Sequence, residues 1–151
     1  MTALYERDVQ MFDRIGVPPD LLEEAHIERV SDRDARERFG IQGPVSKNMA
    51  GIIFPYYSHV TAQRVTARVR RDNPEIEDGK PKNKYISAYG DGRHLYFLPD
   101  ARQKLQEPST PIVLVEAEKS VLALTAWARR TGTDVIPVGT GGCWGWRGHQ
   151  R

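Results

Sequence analysis

Ile112-Val113-Leu114-Val115-Glu116-Ala117-Glu118-Lys119, then Ser120 to Thr131, then Val135-Ile136-Pro137-Val138-Gly139, is the stretch that decides the fold. Four apolar residues stop abruptly at a carboxylate. A helical pattern follows, closed by Gly132, and a second short apolar run comes after it. This succession predicts a strand over 112–116, a crossover helix over 119–130 and a parallel strand over 134–139. Open α/β sheets gather functional groups at the carboxyl ends of their strands, and Glu116 sits at such an end. Two roles are open to it: a carboxylate that takes part in chemistry, or an ordinary acid in the first turn of a helix.

Upstream, the pattern is that of an antiparallel β-meander. Gly51-Ile52-Ile53-Phe54 opens a strand, and Pro55 restricts its pairing to an edge or an end. Arg64-Val65-Thr66-Ala67-Arg68-Val69-Arg70 alternates strictly, with Val65, Ala67 and Val69 on one face and Arg64, Thr66, Arg68 and Arg70 on the other. Residues 72–83 read as a polar loop. Tyr85 to Ala88 and His94 to Leu98 read as two strands of a hairpin around Gly90-Asp91-Gly92, followed by a loop over 99–111. Before the meander come three short charged helices. One covers 3–15 and stops at Gly16. A second is opened by Pro18-Pro19 and runs to Ala25. A third covers 32–39, with Ser31 as its cap and Gly40 as its end.

The 151 residues suffice for one ordinary core. No apolar run approaches the roughly 20 residues that span a bilayer, and the start of the chain lacks the basic and apolar segments of a signal peptide. The expectation is therefore a cytoplasmic protein without membrane contact. The lone Cys143 and four scattered histidines offer no disulfide and no ligand spacing for zinc. Charge is uneven: residues 1–40 hold 6 basic against 10 acidic side chains, and residues 119–151 hold 5 against 1. A basic back half fits contact with a polyanion, and a solvated front face explains the gradient equally well.

The arginine face of 64–70 is the clearest binding feature. Its side chains recur every ~7 Å and could follow a phosphate backbone. Arg71, Lys80, Lys82 and Lys84 extend it in sequence, and Tyr56, Tyr57, Tyr85, Tyr89, Trp144 and Trp146 are available to stack on unpaired bases. The alternative is a half-exposed strand whose arginines pair with Glu75, Glu77 and Asp78. The glycine-rich 139–148 run lets backbone approach a ligand closely, although no G-x-x-x-x-G-K-[ST] is present. No serine or cysteine has a nucleophile's frame. Glu116 and Glu118 would share one side if the strand continued that far, and could then hold Mg²⁺ between them. Octahedral sites ordinarily use more oxygen ligands than that.

Val115-Glu116-Ala117-Glu118-Lys119 before a helix resembles the first signature of Toprim domains, the fold shared by bacterial-type primases and topoisomerases, with Ala117 where that family usually has glycine. A wider ordered set resembles a domain of unassigned function in replication proteins of phages, plasmids and integrated elements, found beside primase or helicase modules. The set comprises Gly51 to Pro55, Arg68 to Pro74, Lys84-Tyr85, Leu95-Tyr96-Phe97, Ser109-Thr110-Pro111, Glu116 to Lys119, and Gly141 to Arg147. It covers roughly residues 15–148. The resemblance implies an α/β (α+β) fold, in which a helical segment over 1–40 precedes a β-rich region over 41–151. That region leads into the opening β-α-β unit of a Toprim-like sheet. In Toprim enzymes the first Glu is a general acid or base and a later Asp-x-Asp binds Mg²⁺. No such motif follows here, so the implied metal site of Glu116 and Glu118 is incomplete.

The function expected is that of a nucleic-acid-associated module of a mobile element's primase-type replication protein, binding single-stranded DNA or RNA. Glu116 is the candidate general acid or base and Lys119 its phosphate neighbour. Arg64, Arg68, Arg70, Arg71 and Lys84 are candidate backbone contacts, and Trp144, Trp146 and Arg147 a candidate stacking platform. The partners expected beside the nucleic acid are a helicase or primase module or the remainder of a longer replication protein. Two alternatives stand beside this reading. One is a Mg²⁺-dependent nucleotidyl-transfer or nuclease domain completed in trans or by a missing C-terminal part. The other is a phage or plasmid product that binds and blocks a host protein.

Overall fold

The computed structural model describes residues 3–90 and 92–142. The chain opens with α1 (Glu6–Asp13), whose first turn is fixed by the Asp8 carboxylate accepting the Tyr5 N–H at 2.9 Å. α2 (Pro19–Glu24) starts on a proline, which needs no amide donor there. A strand absent from the sequence expectation follows, β1 (Glu28–Val30). Two of its three residues are charged, which hides it from a hydrophobic pattern. Arg29 is nevertheless 5% exposed, because Asp8 binds its guanidinium at 2.7 and 2.8 Å and Asp72 binds it from a second side. α3 (Asp32–Phe39) has the expected limits. The Ser31 hydroxyl accepts the Asp34 N–H at 3.0 Å, and Gly40 closes the helix at φ 68°.

β2 (Gly51–Tyr57) and β3 (Arg64–Arg71) then form the centre of a four-stranded antiparallel sheet of order β1-β2-β3-β6, where β6 is Tyr85–Ser87. Both faces of the sheet are covered. Ile53, Ala67 and Val69 pack with Ala35 and Phe39 of α3. Ile52, Phe54 and Tyr56 pack with Phe12, Leu21 and Leu22 from the front helices and with Val121 and Leu122 from much later in the chain. Pairing of β2 with β1 stops at Ile53, so among the described residues only β3 lies alongside Pro55, as a proline requires.

The expected loop over 72–83 is instead a small hairpin, β4 (Glu75–Glu77) with β5 (Lys80–Lys82). Asp78 and Gly79 both have positive φ, 51° and 72°, the pair of left-handed residues that a tight hairpin turn demands. The expected strand over 94–98 is corrected in the other direction. Among the described residues only Tyr96 pairs, by two backbone bonds to Gly139 at 2.8 and 2.9 Å. The bridge needs glycine there, since a Cβ on Gly139 would lie 3.1 Å from both Tyr96 Cβ and Val121 Cγ2. A short helix, α4 (Ala101–Lys104), occupies part of the expected loop over 99–111.

β7 (Ile112–Val115), α5 (Glu118–Thr131) and β8 (Ile136–Gly139) form the strand–helix–strand unit, with β7 and β8 parallel and Gly132 closing the helix. Ile136 and Val138 are buried under Ala101, Phe97 and Leu105. Their register partners Ile112 and Leu114 are 55% and 64% exposed. The architecture is thus the mixed α/β one expected from the sequence. No helix is long and apolar enough to cross a membrane among the described residues.

Candidate nucleic-acid interface

Along β3 the alternation sets Thr66, Arg68 and Arg70 opposite Tyr56, Phe54 and Ile52 of β2. That face is the one α5 packs against, so the arginines line a groove at the start of α5 rather than standing in open solvent. The register shifts between Tyr56 and Tyr57, and beyond it Arg64 leaves the row. Its guanidinium donates to the Arg38 carbonyl at 2.8 Å and lies over the Phe39 ring. Arg71 falls on the opposite face and is 1% exposed. It donates to both oxygens of Glu75 at 2.8 and 2.9 Å and to the Asn48 carbonyl at 2.9 Å. These bonds clamp the base of the β4–β5 hairpin and hold the Glu75 carboxyl down to about 2. The expectation that Arg71 contacts a nucleic-acid backbone is therefore corrected: its guanidinium is already committed inside the protein.

Arg68 is the hinge of the groove. Nη1 donates to Glu118 Oε1 at 3.2 Å and to the Gly141 carbonyl at 2.9 Å, and the guanidinium lies over the Tyr85 ring. The Tyr56 hydroxyl donates to the same Glu118 oxygen at 2.6 Å. Glu118 is 1% exposed. Burial, and then the Glu118 charge, raise the Tyr56 and Tyr96 hydroxyls well above the ordinary tyrosine range. Glu118 thus locks α5 to β2 and β3. Glu116 is exposed, and its carbonyl accepts the Gly142 N–H at 2.8 Å. The strand ends before the two carboxylates could come to share a side. Glu118 Oε1 is already taken by a hydroxyl and a guanidinium. This donor set does not fit Mg²⁺, and no group of three or more His, Cys, Asp or Glu could hold a metal among the described residues.

Past Arg68 the groove holds Arg70, Lys84 and Lys119, all half-buried. Burial, and after it the charges of Arg70 and Lys84, lower the Lys119 ammonium below its usual value. The Arg70 Nε is buried without a partner among the described residues. On the other side of Arg68 lies a cavity of about 340 Å³, walled by Tyr56, Thr66, Ser87, His94 and Gly141 among others, with no carboxylate among the described residues that line it. Thr66 lines the cavity, and its Oγ1 is itself buried and bonds to none of the described residues. Trp144, Trp146 and Arg147 lie outside the described residues. Of the tyrosines offered for stacking, Tyr56 is buried, Tyr57 packs on His26, Tyr85 lies under Arg68, and Tyr89 is exposed.

Sequence reasoning named Arg68, Arg70 and Lys84 as one group of cations and Lys119 apart from them, beside Glu116; the fold sets Lys119 close to Arg70 and Lys84. Sequence reasoning missed Tyr56 as a hydrogen-bond donor, Glu118 as a buried lock, and Ser87 and His94 as walls of a cavity. The alternation did place Thr66 beside Arg68; nothing local marked its hydroxyl as unpaired.

No family model matches the chain, and no curated protein matches it. Solved primase structures do resemble it in fold. The zinc-binding and RNA polymerase domains of the Aquifex aeolicus primase superpose with a TM-score of 0.60 at 16% identity, over 89% of this chain and 36% of that one. A DnaG primase catalytic domain bound to single-stranded DNA gives 0.59 at 18% identity, over 89% and 47%. A DnaG catalytic core gives 0.58 at 16%, over 87% and 46%. The chain spans less than half the length of each, and identities this low show the fold alone: a primase-like fold.

Proposed function

We propose that this chain is a nucleic-acid-binding module of a primase-type replication protein, taking single-stranded DNA or RNA along the groove between β3, β6 and α5. The observation that carries the reading is the meeting of Arg70, Lys84 and Lys119 in one half-buried place. Burial, and after it the charges of Arg70 and Lys84, lower the Lys119 ammonium's affinity for protons, and the arrangement becomes favourable once phosphate neutralises it. The primase-like fold, and the fact that one neighbour was solved with single-stranded DNA, support the choice of ligand. The ordered motif resemblance supports a setting in a mobile genetic element of a phage or plasmid, with a helicase or primase module as working partner and the cytoplasm as its place. Glu116, at the exposed end of β7, is the residue left for acid–base chemistry if further parts of such a protein supply metal ligands.

The test is binding of labelled oligonucleotides followed by fluorescence anisotropy as salt is varied. Affinity should fall steeply with salt, and Arg70→Ala with Lys84→Ala should flatten the slope by about 0.7 for each phosphate no longer neutralised. The chain alone should show no Mg²⁺-dependent primer synthesis. A double variant that binds with the parent's affinity and slope would remove the groove from the proposal. Turnover abolished by Glu116→Gln would promote the enzyme reading.

A further inference from the structure

A groove that only tracks phosphates needs no cavity in its wall, yet one opens beside Arg68. We infer that this cavity takes up one unpaired base of the bound strand, so that the module prefers some sequences over others, with Thr66 as the residue that reads the base. The inference rests on the proposed function.

Three features converge. First, the row Thr66, Arg68, Arg70 runs along a single face of β3, so the cavity and the cation cluster are consecutive stations on one track, with Arg68 between them. A strand whose phosphates lie at Arg70 and Lys84 passes Arg68 and can turn its next base into the opening. Second, the cavity's size and lining suit a base. At about 340 Å³ it lies at the small end of ligand pockets, room for one ring system rather than a stacked run. Its lining includes Thr66, Ser87, His94 and Gly141, residue types able to meet donors and acceptors on a base edge, while the Thr140 hydroxyl beside them already donates to the Gly142 carbonyl at 2.8 Å. Among the described residues no carboxylate lines it to repel the approaching strand. Third, Thr66 lines this space while its Oγ1 is buried and without a partner among the described residues, so turning the hydroxyl about χ1 toward the space breaks no existing hydrogen bond. Buried hydroxyls without partners are rare because each forfeits a hydrogen bond, and a ligand that supplies the partner recovers it.

Arg68 has the anchoring this role needs. Glu118 and the Gly141 carbonyl fix one edge of its guanidinium, and its face covers Tyr85. It therefore stands as a rigid post between the two stations.

The experiment compares labelled oligo-dA, oligo-dC and oligo-dT on the full chain, with Thr66→Val and Thr66→Ser. Valine keeps the shape and deletes the hydroxyl, and serine keeps the hydroxyl. The parent should separate its preferred homopolymer from the weakest by about 3- to 10-fold, the worth of a hydrogen bond or two. Thr66→Val should compress that spread while leaving the salt slope unchanged and without lowering the melting temperature. Thr66→Ser should retain the spread. A purely structural Thr66 would instead lower the melting temperature and leave the ranking intact, which overturns the inference. Equal binding of all three homopolymers by the parent overturns it too, while leaving the phosphate groove standing. Absence of any oligonucleotide binding by the parent overturns both readings.

Discussion

Lys119 feels two opposing demands, and they have opposite consequences with pH. Its ammonium is half-buried at the start of α5 beside Arg70 and Lys84, and burial and those charges lower its affinity for protons. Between the lowered value and the ordinary one near 10.5, the folded protein holds fewer protons than the unfolded chain. The Lys119 contribution to stability therefore rises with pH across that window. Phosphate binding needs the charge, so oligonucleotide affinity should fall over the same window, earlier than free lysines would dictate. Lys119→Arg keeps a charge throughout and should hold the affinity flat over that range. Anisotropy measured from neutral to alkaline pH decides it: a parent curve that declines no earlier than that of the arginine variant would show that Lys119 carries no phosphate.

At the scale of elements, the β7–α5–β8 unit is two unlike strands sharing one helix. β8 is buried along its whole length, whereas alternate residues of β7 are uncovered. Ile136→Ala should cost about 2–5 kcal/mol, the usual range for emptying a core position. Leu114→Ala, at a site 64% exposed, should stay within about 0.5 kcal/mol of the parent. Urea denaturation of the two variants measures both. A large loss at Leu114 would mean that something covers it in solution.

The same unit shows what a sequence carries. The apolar runs, Gly132 and the helical spacing between them are local signals, and the unit they mark is the one observed. Ser31 and Gly40 bound α3 for the same reason. Alternation in β3 is also local, and it marks the right faces; which face meets α5 depends on residues fifty positions away. β1 escaped because its burial rests on Arg29 finding Asp8 and Asp72, partners 21 and 43 positions off. The run 94–98 has a strand's pattern and, among the described residues, only one bridge, dictated by the bare Cα of Gly139. The lock on Glu118 is likewise long-range, 62 residues from Tyr56. A carboxylate next to a strand end reads the same in sequence whether it is solvated, as Glu116 is, or buried, as Glu118 is.

In the whole molecule, front and back are stitched together. Phe12, Leu21 and Leu22 share a core with Val121 and Leu122. At the rim of that core, Arg129 reaches Glu24 at 2.8 Å, and Arg130 reaches the Gly16 carbonyl at 2.9 Å. The acidic early segment and the basic later one are thus partly each other's counterions. Exposed ion pairs such as Arg129–Glu24 contribute little each, about 0–1 kcal/mol, so the joint depends on the shared apolar core.

The open flank of β7 also bears on how the protein behaves in a tube. Among the described residues only β8 pairs with it. A short strand with an unpaired edge and two uncovered aliphatic side chains is a template for sheet growth between molecules. Crowding, not heat, should be its first enemy. Static light scattering should rise faster than linearly with protein concentration at low salt, and Leu114→Lys, which places a charge on that flank, should restore linearity without altering the melting temperature. Scattering that stays proportional to concentration in the parent would show the flank to be inert, and storage at high concentration harmless.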